Sequence, residues 1–249
     1  MLRRGVRTLA SSVRLVMPNR RPCSPMMTGR SAEIRLDTRT LPLDEVKQAG
    51  RADGGSINDV FVTIATDAVR RYHHEHGHGC DRLRVHMPVN ARTARTAGLA
   101  GNQFVPARVV LRFDEGHTTL AAVRSQLERL RDEPALHHIT KVSAAVQRLG
   151  RPISRWIIGG MMLGVDVLAS NVPGPPFPLY LAGAKIDRFV AFGPPAGAAL
   201  NITAFSYDGD LHLGVTTDAE GVTDRAVFLE CLDAAIDDVV GSARPVVTV

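Results

Sequence analysis

A mixed α/β (α+β) fold, one mixed sheet covered by helices, is predicted by three features of this chain. Segments with a 3.6-residue hydrophobic period and segments with two-residue alternation are interspersed without a regular βαβ rhythm. No GxGxxG follows a predicted strand, which removes the dinucleotide-binding version of the doubly wound sheet. The 249 residues are 45% hydrophobic and 22% charged, enough apolar material for a sizeable core.

The elements follow in order. Leu2, Val6, Leu9, Val13 and Val16 recur at helical spacing with arginines between them, and Pro18 stops the run. Such a helix over residues 1–17 suits a peripheral membrane contact, an organellar transit peptide or a neighbouring protein surface. Pro18, Pro22, Pro25 and Gly29 mark residues 18–35 as a linker, so residues 1–35 read as leader and linker. A short helix is expected around 43–49. Ser56 then precedes a long helix, with Asp59 at the spacing that accepts from the first turn and favours its dipole. That helix is expected to fray into the polar run from His73 to Gly79. Strands are predicted at 83–89 and 104–113, and helices at 117–132, 137–149 and 152–163. Five further strands are expected at 165–171, 179–182, 186–192, 199–207 and 211–217, then a closing helix over 224–240 and a tail at 244–249.

Charge and cysteine usage exclude several functions. The formal net charge is +5, but residues 1–32 hold seven arginines and no acid. Removing those seven leaves −2 for the rest, so the basic character belongs to the leader. With three Tyr and one Trp there is no aromatic platform for bases, and a nucleic-acid partner is not expected. The three cysteines are widely spaced with no CxxC, which suggests neither a disulfide framework nor a zinc site. The longest apolar stretch, 156–168, is interrupted by Asp166 and is too short to span a bilayer. The expected location is cytoplasmic, peripheral to an inner membrane or to lipid inclusions.

Five segments then recur in a telling order. They are Leu41-Pro42-Leu43-Asp44-Glu45-Val46-Lys47; Ser56-Ile57-Asn58-Asp59-Val60; Met87-Pro88-Val89-Asn90 with Arg92; Gly101-Asn102-Gln103; and Ser170-Asn171-Val172-Pro173-Gly174-Pro175. Leu200-Asn201-Ile202-Thr203 and Ser206-Tyr207 follow downstream. In this order the chain resembles the bacterial wax ester synthase/diacylglycerol acyltransferase family, and residues 36–243 resemble its C-terminal domain. The resemblance implies a chloramphenicol acetyltransferase-like half-domain, and acyl transfer from acyl-CoA to diacylglycerol or a long-chain alcohol. It implies acyl-CoA as co-substrate, no resident cofactor, and a tunnel between two domains. It also implies a general base, the second histidine of an HHxxxDG motif that the family carries in its N-terminal domain.

That motif is absent in its proper place. A near-copy, His73-His74-Glu75-His76-Gly77-His78-Gly79, has His78 where the aspartate belongs and follows the Asn-Asp segment instead of preceding it. No self-sufficient catalytic constellation is expected, and a separate N-terminal half is the expected partner. The alternative is a non-catalytic lipid- or acyl-CoA-binding module, or a truncated remnant.

Each candidate residue carries a plainer alternative. By resemblance, Ser170 and Asn171 line the tunnel and Ser170 stabilises the oxyanion; otherwise they form a strand-to-loop turn. Asn58 and Asp59 shape the tunnel, or merely cap a helix. Asn201 matches the family, or simply bonds within its strand. His74 and His78 are four apart and could bind a metal adventitiously, although no site is expected. His212 is expected to be a surface histidine, and His137-His138 have no acid at the needed offset.

Overall fold

The computed structural model describes residues 21–90, 104–113, 118–131 and 163–241, with 148, 150–152 and 160 between them. The leader helix expected at 1–17, Arg92, the Gly101-Asn102-Gln103 segment, His137-His138, nearly all of the helices expected at 137–149 and 152–163, and the tail lie outside the described residues.

In chain order the elements are β1 (Ile34–Pro42), α1 (Leu43–Ala52), α2 (Ile57–Glu75), β2 (Arg82–Asn90), β3 (Phe104–Arg112), α3 (Leu120–Arg131), β4 (Val167–Val172), β5 (Tyr180–Leu181), β6 (Ala184–Lys185), β7 (Leu200–Tyr207), β8 (Asp210–Asp218) and α4 (Arg225–Val240). Six strands form one sheet in the order β1-β8-β7-β4-β2-β3, and β5 and β6 form a separate hairpin. Strand β4 runs parallel to both β2 and β7, whereas the remaining pairs are antiparallel. The sheet is mixed, as expected.

One face of this sheet holds the core. Leu41, Leu83, Val85, Leu111, Val167, Leu200, Ile202, Leu213 and Val215 join one buried cluster with side chains of all four helices. Because alternate strand residues face opposite sides, this places the described helices on a single face and leaves the other face free of them. Helix α2 lies at the centre. It is buried almost continuously from Asp59 to Val69, as befits a helix with apolar or small residues all round. Ser56 and Asp59 form a reciprocal capping box at its start: Ser56 N donates to Asp59 Oδ2 at 2.9 Å and Asp59 N donates to Ser56 Oγ at 3.3 Å.

Three sequence expectations need correction. The helix does not fray at His73 but runs to Glu75, because His73 is fully buried and both ring nitrogens are bonded. Nδ1 lies 2.7 Å from the Val69 carbonyl and Nε2 lies 2.7 Å from Ser24 Oγ. Strand β1 was missed because its polarity is inverted. Its helix-facing side carries Asp37 and Arg39, which pair with Arg225 and Asp233 of α4, while Ile34 and Leu36 stand exposed on the other side. The segment at 186–192 is not a strand. It belongs to an extended strap crossing the helix-free face, where Phe189 stacks on Phe205 with ring centroids 4.8 Å apart.

Residues 21–33 close onto the body instead of trailing from it. The buried Asp166 carboxylate accepts backbone N–H groups from Cys23, Ser24 and Arg84 at 3.2, 2.9 and 2.6 Å. Met27 enters the core. Among the described residues no helix is long and apolar enough to cross a membrane.

Candidate functional site

Strand β4 alternates between the two faces of the sheet. Val167 and Ala169 enter the core, which sends Leu168 and Ser170 to the helix-free face and Asn171 back toward the helices. The two neighbours in the sequence motif therefore point in opposite directions. Only Ser170 belongs to the open face, and its half-buried hydroxyl makes no hydrogen bond among the described residues. The chain leaves the strand through a turn that requires glycine. A Cβ on Gly174 would lie 2.1 Å from the Ser206 carbonyl oxygen, and Gly174 N donates to Ser206 Oγ at 3.1 Å.

The parallel register sets Ser170 beside Thr203 of β7. Thr203 Oγ1 donates to Asn201 Oδ1 at 3.1 Å, and Asn201 Nδ2 donates to the Pro194 carbonyl at 2.7 Å. The strap sits directly on this pair, since a Cβ on Gly193 would come within 2.4 Å of Asn201 Nδ2. Asn201 thus anchors the strap, while Ser170, one strand further along, keeps a free hydroxyl. Thr203 was not singled out from the sequence. Its signal was the Asn201-Ile202-Thr203 alternation, which puts both polar residues on one face.

The other candidates lie elsewhere. The buried Asp59 is fully engaged: Oδ2 accepts from Ser56 N and Oγ, and Oδ1 accepts from Arg131 Nη2 at 2.7 Å. Half-buried Asn58 precedes it at the start of α2. His74 and His78 are exposed on either side of the helix end, and no group of three His, Cys, Asp or Glu among the described residues is placed to hold a metal.

His212 is buried rather than on the surface, which corrects the sequence expectation. Its Nδ1 lies 3.0 Å from Thr40 Oγ1, and its Nε2 has no partner among the described residues. Burial lowers its pKa, against a smaller opposing pull from Asp210. His212 pairs with Phe205, so it stands two strands from Ser170, roughly 10 Å at ordinary strand spacing and beyond hydrogen-bond reach. His73 is committed to Ser24 and Val69. Burial raises the pKa of all three cysteines, Cys80 to about 12 and Cys231 to about 11, so none is a ready thiolate. The described residues supply a hydroxyl at a strand end and no base beside it.

A six-stranded mixed sheet of this order, with helices on one face, is a half-domain of the chloramphenicol acetyltransferase-like class. It superposes on the wax ester synthase/diacylglycerol acyltransferase of Marinobacter aquaeolei VT8 with a TM-score of 0.61 at 19% identity, covering 94% of this chain and 55% of that one. A condensation domain of the enacyloxin polyketide synthase gives a TM-score of 0.63 at 12% identity, covering 94% of this chain and 46% of that chain. The family model for the WS/DGAT C-terminal domain matches residues 100–239. A Mycobacterium tuberculosis H37Rv protein carried under a provisional diacylglycerol O-acyltransferase name is 33% identical over 222 residues, 88% of this chain and 45% of the relative. A second M. tuberculosis protein with a similar name is 25% identical over 233 residues, 90% of this chain and 50% of the relative. The chain belongs to the wax ester synthase/diacylglycerol acyltransferase family and corresponds to its C-terminal domain. It spans about half the length of the curated relatives it matches.

Proposed function

We propose that this chain is the C-terminal half of an acyl-CoA-dependent O-acyltransferase that makes triacylglycerol or wax esters, and that it works against a second half bearing the catalytic histidine. The observation that carries this reading is the state of Ser170. It stands at the C-terminal end of the one described strand with parallel neighbours on both sides, on the face no described helix covers, with its hydroxyl making no hydrogen bond among the described residues. The acceptor alcohol attacks the thioester carbonyl as a histidine of the other half removes its proton. The Ser170 hydroxyl donates to the oxygen that becomes negative, and collapse of the intermediate releases the CoA thiolate and leaves the ester. Asn201 and Thr203 hold the strap over β7 beside this point. The domain then runs over residues 36–243 together with residues 21–35, which pack onto it, and the leader at 1–17 provides peripheral contact with a membrane or a lipid inclusion.

Complementation tests this directly. Purified chain is assayed for transfer from palmitoyl-CoA to diacylglycerol and to hexadecanol, with and without an N-terminal half from a related enzyme. Product only in the mixture supports the split enzyme. Product from the chain alone removes the requirement for a second half. Binding of acyl-CoA without turnover in either condition replaces the enzyme reading with a lipid-binding module.

A further inference from the structure

The far end of the helix-free face carries a feature that does not depend on the acyl-transfer reading. The β2–β3 register sets Arg82 opposite Arg112, Arg84 opposite Val110 and His86 opposite Arg108. Residues two apart share a face, so these side chains all project to the same side. Residues 21–23 cross over that end and close a cleft of about 570 Å³ lined by Arg21, Arg82, Arg84, Arg112, Val110 and Cys23.

Among the described residues no carboxylate lines this cleft. Asp166, buried behind it, is already bonded by three backbone N–H groups. The Arg84 guanidinium donates through Nη1 to the carbonyls of Arg21 and Gly164, and its buried Nε has no partner. Arg21, Arg82 and Arg112 form no ion pair among the described residues. Like charges directly opposite on neighbouring strands repel, so folding gains nothing from this arrangement. Among the described residues no carboxylate pairs with these guanidinium groups, which leaves the cleft open to an anion from solution.

We propose that the cleft binds a multiply charged phosphate group. Guanidinium forks match phosphate oxygens two at a time, and four of them exceed what a single carboxylate would neutralise. The volume lies within the range of small-molecule sites, and Val110 and Pro22 offer apolar surface to whatever carries the phosphate. The cleft is separate from the candidate acyl-transfer edge. Val85 lies beside Val167; Arg82 is three residues upstream and Ser170 three downstream, roughly 20 Å apart along the strands. A soluble phosphorylated molecule and a phospholipid headgroup present the same chemistry here.

The full chain is titrated calorimetrically with pyrophosphate at low and at moderate salt. In parallel it is sedimented with phosphatidylcholine vesicles, with and without phosphatidic acid. Arg82→Gln and Arg112→Gln change exposed side chains, and each is expected to weaken binding about tenfold. Arg35→Gln, on the far edge strand, serves as the control and is expected to bind like the parent. Binding to pyrophosphate identifies a soluble ligand, and pelleting only with phosphatidic acid identifies a headgroup; either supports the site where Arg82→Gln and Arg112→Gln weaken it, since contact through residues 1–17 would survive both changes. The proposal is overturned if the parent binds neither probe. An equal loss in Arg35→Gln, or no loss in the Arg82/Arg112 double variant, overturns it as well.

Discussion

The two faces of the six-stranded sheet are built to different rules. Toward the helices, Leu83, Val85, Val167, Leu200, Ile202, Leu213 and Val215 pack with Phe61 and Phe228 in one dry cluster, each at most 1% exposed. On the opposite face the same strands present Arg84, His86, Ser170, Asn201, Thr203, His212 and Thr216. There the buried polar atoms His86 Nδ1, His212 Nε2 and Thr216 Oγ1 have no partner among the described residues. Unmet hydrogen bonding in a buried setting costs stability. The helix-facing side thus carries most of the packing and the opposite side most of the unmet polar groups, with Thr217 Oγ1 on the helix-facing side as the exception.

The sharpest way to break this contrast is to cut into the dry face. Phe61 is 1% exposed in the second turn of α2, and truncating a buried aromatic side chain costs about 3–5 kcal/mol through lost transfer energy and the cavity left behind. Phe61→Ala is expected to lower the urea midpoint accordingly. A loss below about 1 kcal/mol would mean that the core tolerates collapse, and that the two faces contribute to stability more evenly than their packing suggests.

Protonation probes the other face. Burial lowers the pKa of His86 to about 4, with the Arg108 guanidinium across the ladder adding to it. Unfolded, the same imidazole titrates near 6.5. The folded state therefore favours the neutral ring, and the associated stability is fully present above about pH 6.5. It is lost as the pH falls toward about 4, because the unfolded chain takes up the proton first. The amount is on the order of 3 kcal/mol. His73 and His212 are also lowered, mainly by burial, and add to the slope in the same direction. Urea denaturation from neutral to acidic pH should show stability falling through this window. His86→Gln should flatten the slope, and an unchanged slope would assign the effect to His73 and His212.

Much of this architecture was legible from local patterns. The capping residues Ser56 and Asp59, the alternation through β7 and β8, and the amphipathic α4 are properties of neighbouring residues, and each was found where the periodicity put it. What failed depended on distant partners. Strand β1 turns its charges inward only because α4 supplies Arg225 and Asp233 to meet them. Missing that strand also misplaced His212, which is buried partly because Thr40 of β1 lies against it. The strap at 186–192 imitates a strand, because stacking on Phe205 imposes an apolar spacing without a ladder. Ser170 and Asn171 read as one motif in sequence, yet the pleat separates them. The arginine cleft needs both the β2–β3 register and the return of residues 21–23, and no sequence window contains both.

Ser170 gives the smallest stability effect and the most direct test of what the open face is for. Its hydroxyl is half-buried and makes no hydrogen bond among the described residues, so Ser170→Ala removes no interaction that the folded domain uses. Its urea midpoint should match the parent within about 0.5 kcal/mol. If the hydroxyl donates to the oxyanion, the same variant should lower kcat in the complemented acyl-transfer assay about a hundredfold or more. KM for palmitoyl-CoA should change little, because the bond forms only as charge develops. A stable Ser170→Ala variant with full activity would leave the strand end as a turn and no more. A destabilised variant would show that the hydroxyl helps to hold the fold, which the free state of its oxygen argues against.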